Sequence, residues 1–369
     1  MRFEATRKEL LFAIKSAFAA ADTKATIPIL SHVLVRHTEN AVEIVGTDAQ
    51  TEISTCVNVT GSFDANDRGE ITVPAAKLYE IVRNLPTDAE LTFFLKGEKV
   101  EIKSGKSRFT LSTLSSDDFP SSAAIENATT FTLNALILKE YLVKIAHAMA
   151  YNDARYYLNG VCLDMWQEGL NLVATDGHRL SLVVTSDLMF ADEQRQVILP
   201  HKFVTELTKL LVDDDDVEIH VSDSHIQVKL SNHLMITSKL IDGKYPDYQG
   251  IIPKPKFWMG CDVAGLKKAL EQAAILSNEK YNGVRLILSS NRLKVTASNP
   301  NNEESEIELE VNFSGDDIEI GFNVEYLLDA LSALSTQTVE IGLTDGNSSC
   351  LIQNEGDDSA RHIIMPMRL

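Results

Sequence analysis

Six stretches of the chain repeat apolar residues three or four positions apart. They are Leu10/Leu11/Ile14/Phe18, Leu78/Ile81/Val82/Leu85, Tyr141/Leu142/Ile145/Met149, Phe203/Leu207/Leu210/Leu211, Leu266/Leu270/Ala273/Leu276 and Leu327/Leu328/Leu331/Leu334. A stripe of that period lies on one face of an α-helix and must bury against a partner layer. Between the stripes the pattern changes to short alternating or β-branched runs, such as "HVLVRH" (32–37), "LTFFLKGEKVEIKSG" (91–105) and "VEIHVSDSHIQVKLS" (217–231). Alternation turns apolar side chains to one face of a strand, and hairpin-linked strands pair antiparallel. One helix and then three or four strands, six times over, predicts an α+β fold with helices layered on antiparallel sheets.

The pattern also repeats at longer range. Gly46-Thr47-Asp48 follows "VEIV", Ala174-Thr175-Asp176 follows "LNLV", and Ala297-Ser298-Asn299 follows "LKVT". A second marker ends a β-like run: "ITVP" at Pro74, "VILP" at Pro200, "IGFN" at Asn323. A third closes each unit, at Pro120, Pro246 and Pro366. Three markers in register define a unit of about one third of the chain. The expectation is three domains, 1–126, 127–254 and 255–369, each with two helices plus antiparallel sheets. Their joints lie in "FPSSAAIENATT" (119–130) and "YPDYQGIIPKPK" (245–256), rich in polar residues or proline.

Composition then limits the function. The chain has 369 residues, 44% of them hydrophobic, and a formal charge of −19 with pI near 4.9. That balance argues against nucleic acid for the surface as a whole. No stretch approaches ~18 uncharged apolar residues, so no membrane span is expected. The N-terminal "MRFEATRKELLF" carries acids and bases where a signal peptide needs an apolar run. Cys56, Cys162, Cys261 and Cys350 lie far apart with no CxxC pair, which suits reduced thiols in a soluble, cytoplasmic protein. No HxH, HExxH or GxSxG motif occurs, so neither a metal nor another cofactor is expected.

Local charge departs from the total. Helix 7–18 carries +2, the helices at 75–85, 136–149, 201–211 and 264–276 carry +1 each, and 324–334 carries −2. Lys8, Lys15, Lys77, Arg83, Lys144, Lys202, Lys209 and Lys267 fall off the apolar stripes. Basic residues on one exposed helix face are ordinary solvation; five helices of six sharing the bias in an acidic chain point beyond solvation. The run Asp213–Asp216 reads as a solvated loop.

The stretch "ATDGHRLSLV" (174–183) gathers Asp176, His178 and Arg179 within four residues. One reading is an enzyme or nuclease with Asp176 and His178 as acid and base. It lacks a nucleophile or metal partner at usable spacing, and Asp176-Gly177 is also a turn signal after a strand.

Several stretches resemble the bacterial DNA polymerase III beta subunit family, the sliding clamps: "IPIL" (27–30), "SGKSRFTLSTL" (104–114), "RYYLNG" (155–160), "TDGHRL" (175–180), "DGKYPDY" (242–248), "AAILSNEK" (273–280) and "MPMRL" (365–369). The resemblance covers the whole chain. It implies a non-enzymatic processivity factor of three similar domains per chain. Two chains would close head to tail into a ring whose helices line a hole for duplex DNA, held without sequence preference. The implied partners are a clamp loader and replicative and translesion DNA polymerases, docking through short peptides with a Gln and a Leu/Phe pair.

The resemblance also implies residue roles. Leu158, Thr175, Gly177, His178, Arg179, Leu180, Pro246, Ile251, Ile363, Met365, Pro366, Met367, Arg368 and Leu369 would wall the peptide pocket. Methionine suits a surface that accepts several peptides. Lys24, Asn152, Tyr156, Tyr157 and Lys202 would meet DNA, with Arg7 and Lys8 as further candidates. The ring seam would join Lys106, Arg108, Phe109 and Leu111 to Ile275, Leu276, Glu303, Glu304 and Glu306 of a second copy. Gly250 departs from the family pattern, where many members carry a basic residue, and Lys24 stands where some have Arg.

Overall fold

The computed structural model describes all residues except 39–40, 60–67, 121, 123–124, 187, 189, 191–193 and 369, and only the backbone of 232. Its six described helices are α1 (Arg7–Ala20), α2 (Ala75–Arg83), α3 (Ala135–Ala146), α4 (His201–Leu210), α5 (Val263–Ala274) and α6 (Val324–Ser332), with four strands between each helix and the next. Each helix falls where its apolar stripe predicts. The boundaries follow from local chemistry. Thr6 and Glu9 make a reciprocal capping box at α1, Asn134 Oδ1 accepts from Leu136 and Ile137 N–H at α3, and Asp262 accepts from Gly265 N–H at α5. These side chains satisfy N–H groups that a helix start leaves without partners. The second repeat marker is the residue just before α2, α4 and α6, which is Pro74, Pro200 and Asn323.

Two compact units emerge. The first combines Met1–Lys139 with Lys202–Leu240. Its eight-stranded antiparallel sheet runs Gly69–Pro74, His32–His37, Ala41–Thr47, Thr51–Asn58, Met235–Lys239, His225–Lys229, Asp216–Val221, Thr129–Asn134. A four-stranded sheet runs Arg2–Thr6, Glu90–Lys96, Lys99–Ser104, Ser107–Ser112. Leu10, Ile14 and Ala17 of α1 and Leu78 and Val82 of α2 pack on Val33, Ile44, Phe93 and Ile102 in one core. Each such Leu, Ile or Phe stabilises by about 1.5–3 kcal/mol relative to exposure.

The second unit combines Glu140–His201 with Ile241–Leu369. Its eight-stranded sheet runs Arg195–Pro200, Gly160–Trp166, Gly169–Thr175, Arg179–Thr185, Asp357–Ile364, Cys350–Asn354, Thr338–Leu343, Phe257–Asp262. Its four-stranded sheet runs Glu304–Glu310, Arg292–Ser298, Gly283–Ser289, Ile318–Asn323. Leu266 and Leu270 of α5 and Leu327 and Leu331 of α6 share a core with Phe313 and Phe322.

The compact units do not follow the repeat. Residues 127–254 are divided between them, because that third donates strands to both eight-stranded sheets. In the first unit its strand Met235–Lys239 pairs with Thr51–Asn58; in the second, its strand Arg179–Thr185 pairs with Asp357–Ile364. No described helix is long and apolar enough to cross a membrane.

Candidate functional site

The turn at Asp176 is built the same way as the one at Asp48, and a longer turn stands at Asn299. Asp176 Oδ1 accepts from His178 and Arg179 N–H at 2.8 and 3.0 Å, and Thr175 Oγ1 donates to the Arg179 carbonyl at 2.6 Å. In the first third, Asp48 Oδ1 accepts from Gln50 and Thr51 N–H at 2.9 and 2.7 Å, and Thr47 Oγ1 donates to the Thr51 carbonyl at 3.1 Å. In the last third, Asn299 Oδ1 accepts from Asn301 and Glu303 N–H at 3.0 and 3.2 Å. The acid that resembled a catalytic group therefore closes a strand-to-strand turn. His178 is exposed, and its carbonyl accepts from Met365 N–H at 2.9 Å. Among the described residues, no three His, Cys, Asp or Glu side chains gather as a metal site.

What distinguishes the middle turn is its neighbours. Leu180 and Ile363 face each other across paired strands. With Thr175, Gly177, Arg179, Ile251, Ser349 and Met365 they line a cleft of about 270 Å³. In the first third the corresponding paired residues are Glu52 and Thr237, which are polar. Ile251 and Met365 expose 53% and 51% of their surface at the cleft mouth, large for apolar side chains. The floor is firm: Leu180, Ile363, Tyr245 and Tyr248 belong to one buried cluster. Tyr248 donates to Asp164 Oδ2 at 2.7 Å and accepts from Asn171 Nδ2 at 2.8 Å, anchoring the turn Gln249–Ile251 that carries Ile251.

Arg179 is held on three sides. It donates to Asp176 Oδ2 at 3.1 Å and to Asp329 Oδ2 at 2.6 Å, and its guanidinium lies 4.3 Å from the centroid of Tyr326. Gly177 has φ +89°, and a Cβ there would stand 2.7 Å from Arg155 Nη1. Arg155 in turn donates twice to Asp153 and once to the Asp176 carbonyl, at 2.9 Å. Hydrogen bonds from Arg155 hold the Asp153 carboxyl down to about 2.

The expected pocket residues separate accordingly. Thr175, Gly177, Arg179, Leu180, Ile251, Ile363 and Met365 line the cleft; Leu158 is buried, and Pro246, His178 and Pro366 lie outside the lining. Met367 N–H donates to the Gly321 carbonyl at 2.9 Å. Met367 and Arg368 therefore line a different, polar cleft of about 860 Å³, with Tyr281, Arg285, Glu304, Glu306 and Glu319. Leu369 lies outside the described residues. Sequence reasoning missed Ser349, Tyr326 and Asp329; the acidity of α6 was the signal for the last. Gly250 is exposed, and a Cβ there would meet only the Asp247 carboxylate.

The basic candidates are less uniform than their sequence positions suggest. Lys24 and Lys202 belong to the first unit, Asn152, Tyr156 and Tyr157 to the second. Lys24 and Asn152 are exposed, and Tyr156 is 58% exposed with its ring against Tyr157 at 5.8 Å. Lys202 Nζ is engaged, donating to Asp48 Oδ2 and to the Ala20 carbonyl, each at 2.7 Å. Arg7 donates to the Val82 and Arg83 carbonyls at 3.0 and 2.8 Å, closing the end of α2. Lys144 corrects the expectation of an outward face: it is buried and paired with Glu140 at 2.7 Å. Lys8, Lys15, Lys77, Arg83 and Lys209 are exposed, and Lys267 is half-buried.

The expected seam residues lie on or beside two sheet edges and at the end of α5. Ser107–Ser112 ends the first unit's four-stranded sheet, with Phe109 and Leu111 half-buried on its core and Lys106 and Arg108 exposed. Glu304–Glu310 ends the second unit's four-stranded sheet, with Glu304 and Glu306 exposed and Glu303 just before it. Each charge set is partly balanced within its own unit. Arg108 pairs with the buried Glu101, and Lys294 pairs with Glu306 at 2.8 Å. Ile275, at the end of α5, is 76% exposed, while Leu276 is half-buried.

Comparisons with known proteins agree along the whole length. The N-terminal, central and C-terminal domain families of the DNA polymerase III beta subunit match residues 1–123, 132–247 and 250–368. The beta sliding clamps of Vibrio cholerae and Escherichia coli K12 are each 39% identical over 373 residues, covering 100% of both chains. A crystal structure of the DNA polymerase III beta subunit from Pseudomonas aeruginosa superposes with a TM-score of 0.95 at 38% identity, again over 100% of both chains.

Proposed function

The chain belongs to the DNA polymerase III beta subunit family, the sliding clamps, and from that premise we propose that it is a cytoplasmic, non-enzymatic processivity factor of a DNA polymerase holoenzyme. Two copies close head to tail into a ring around duplex DNA, with 1–126, 127–254 and 255–369 as its domains. A clamp loader opens the ring, and replicative and translesion polymerases dock short peptides in the cleft beside Leu180 and Ile363.

The observation that carries the reading is the pair of sheet edges of opposite charge on one chain, Ser107–Ser112 and Glu304–Glu310. An open edge is a template for another strand. Unlike edges on the same chain join copies heterologously, and such contacts end only when they close into a ring. Ile275 supports it, since an isoleucine 76% exposed gains by covering. Ile251, Leu180 and Met365 offer apolar anchor positions, which typically contribute ~2 kcal/mol or more each in peptide complexes.

Loading onto nicked circular DNA with a clamp loader and ATP tests the function. The protein stays on the circle through gel filtration and leaves when the circle is cut. Equal retention on circular and linear DNA would sink the encircling mechanism.

A further inference from the structure

Strand Ala41–Thr47 lies so close to α1 that a Cβ on Gly46 would stand 1.8 Å from the Ala17 carbonyl oxygen, a distance only glycine tolerates. That approach sets the turn at Asp48 beside the last turn of α1. Asp48 uses its two oxygens differently. Oδ1 closes the turn by accepting from Gln50 and Thr51 N–H. Oδ2 faces Lys202 Nζ at 2.7 Å, and the same ammonium donates to the Ala20 carbonyl at 2.7 Å.

Two of the three ammonium protons are thus committed to negative partners, a carboxylate and the carbonyl end of a helix. The pair is only partly shielded: the Lys202 side chain is 35% exposed and that of Asp48 19%. Lys202 therefore still reaches solvent, but as a damped charge. The turn bonds use only one of the two oxygens. At the corresponding position of the last third, Asn299 closes a longer turn with its single amide oxygen, accepting from Asn301 and Glu303 N–H. The second oxygen of Asp48 has its own effect, spent on Lys202.

We propose that Asp48 is a positioning residue for DNA, holding Lys202 in one rotamer and offsetting its charge so that a passing phosphate is met weakly. The proposal rests on the DNA-encircling reading and deepens it. A ring that slides must hold duplex without gripping it. A lysine freed of its carboxylate releases close to one counterion per phosphate and adds up to ~0.9 to the salt slope of binding, whereas a paired lysine adds little.

Binding of a short labelled duplex to the full-length chain, followed by anisotropy across a salt series, tests the proposal. Asp48→Asn keeps the turn acceptor and removes the charge; Asp48→Ser, whose hydroxyl can accept the same turn bonds, is the second variant. Both should bind several-fold tighter than wild type at low salt, with a steeper salt slope. Lys202→Gln in the Asp48→Asn background should remove the gain. Unchanged or weaker binding by both Asp48 variants, with Lys202→Gln still weakening the wild type, overturns the damping role alone. If the wild type shows no salt-dependent affinity and Lys24→Gln and Lys202→Gln change nothing, the DNA reading fails as well.

Discussion

Arg179, at the start of its strand, reaches Asp329 on α6 at 2.6 Å although the two residues are 150 positions apart. The guanidinium side chain is 14% exposed and the carboxylate 45%. The bond fixes the Arg179 wall of the cleft and accounts for part of the negative charge on α6. Asp329→Ala leaves a mostly buried cation with Asp176 and the Tyr326 ring. Because Asp329 is half in solvent, the cost should be modest, about 1–2 kcal/mol. Affinity for a polymerase tail peptide should fall several-fold, with Asp329→Asn intermediate. Unchanged peptide affinity in isothermal titration would remove Arg179 from the docking surface.

Gly177 combines a left-handed φ of +89° with a guanidinium where its Cβ would go. Gly177→Ala should cost about 1–2 kcal/mol in backbone strain and push Arg155 from the Asp176 carbonyl, weakening peptide binding. Gly105 is the control: its φ is +54°, but nothing stands within 4 Å of where its Cβ would lie. Gly105→Ala should lower the melting temperature similarly and leave peptide binding intact.

The proposed seam includes a residue with almost nothing to lose in the isolated chain. Ile275 is 76% exposed, so replacing it with Ala should change folding stability by less than ~0.5 kcal/mol. Ile275→Ala with Leu276→Ala should give a folded monomer by sedimentation at low micromolar concentration. A double variant that still sediments as a dimer places the seam elsewhere.

Behind the cleft, Ser181 Oγ stands 3.0 Å from His147 Nε2 and 2.9 Å from His362 Nδ1. Burial, helped by the nearby Arg179 charge, lowers His147 to about 4. Burial, then the His147 and Lys144 charges, lowers His362 to about 3. Both values lie below 6.5, so the unfolded chain takes up protons that the folded one refuses. Stability from the neutral pair is complete above pH 6.5 and is lost as pH falls toward 4 and below. The slope approaches ~1.4 kcal/mol per pH unit for each histidine. Melting temperatures between pH 7.5 and 5 should fall in the wild type and fall less in His362→Gln. Parallel curves would show that the pair does not drive the acid loss.

The turn and the cleft divide what is legible in sequence from what is not. The Asp176 turn, its copy at Asp48, the longer turn at Asn299 and the six helices follow from residues within a few positions of one another. Spacing and composition report such contacts directly. The neighbours that turn one copy into a cleft arrive from far along the chain. Leu180 meets Ile363 because Arg179–Thr185 pairs with Asp357–Ile364, while the same turn in the first third has Glu52 opposite Thr237.

The same division explains where the basic candidates sit. Lys144 and Lys202 each sit off an apolar stripe, which on a lone helix means exposure. Lys144 is instead buried by tertiary packing, Arg7 closes the end of α2, and Lys202 is drawn to Asp48. Met367 and Arg368, adjacent in sequence to the cleft residue Met365, leave it because Met367 bonds to Gly321. The helices, the strand alternation and the threefold repeat are legible in the order of residues, because these are periodic and local. Tertiary packing settled which strands pair across the thirds, which charges are already spent and that the Asp176 turn borders an apolar cleft. Most of those outcomes depend on contacts between residues far apart in the chain, such as Lys202 with Asp48 and Leu180 with Ile363, for which no local pattern exists.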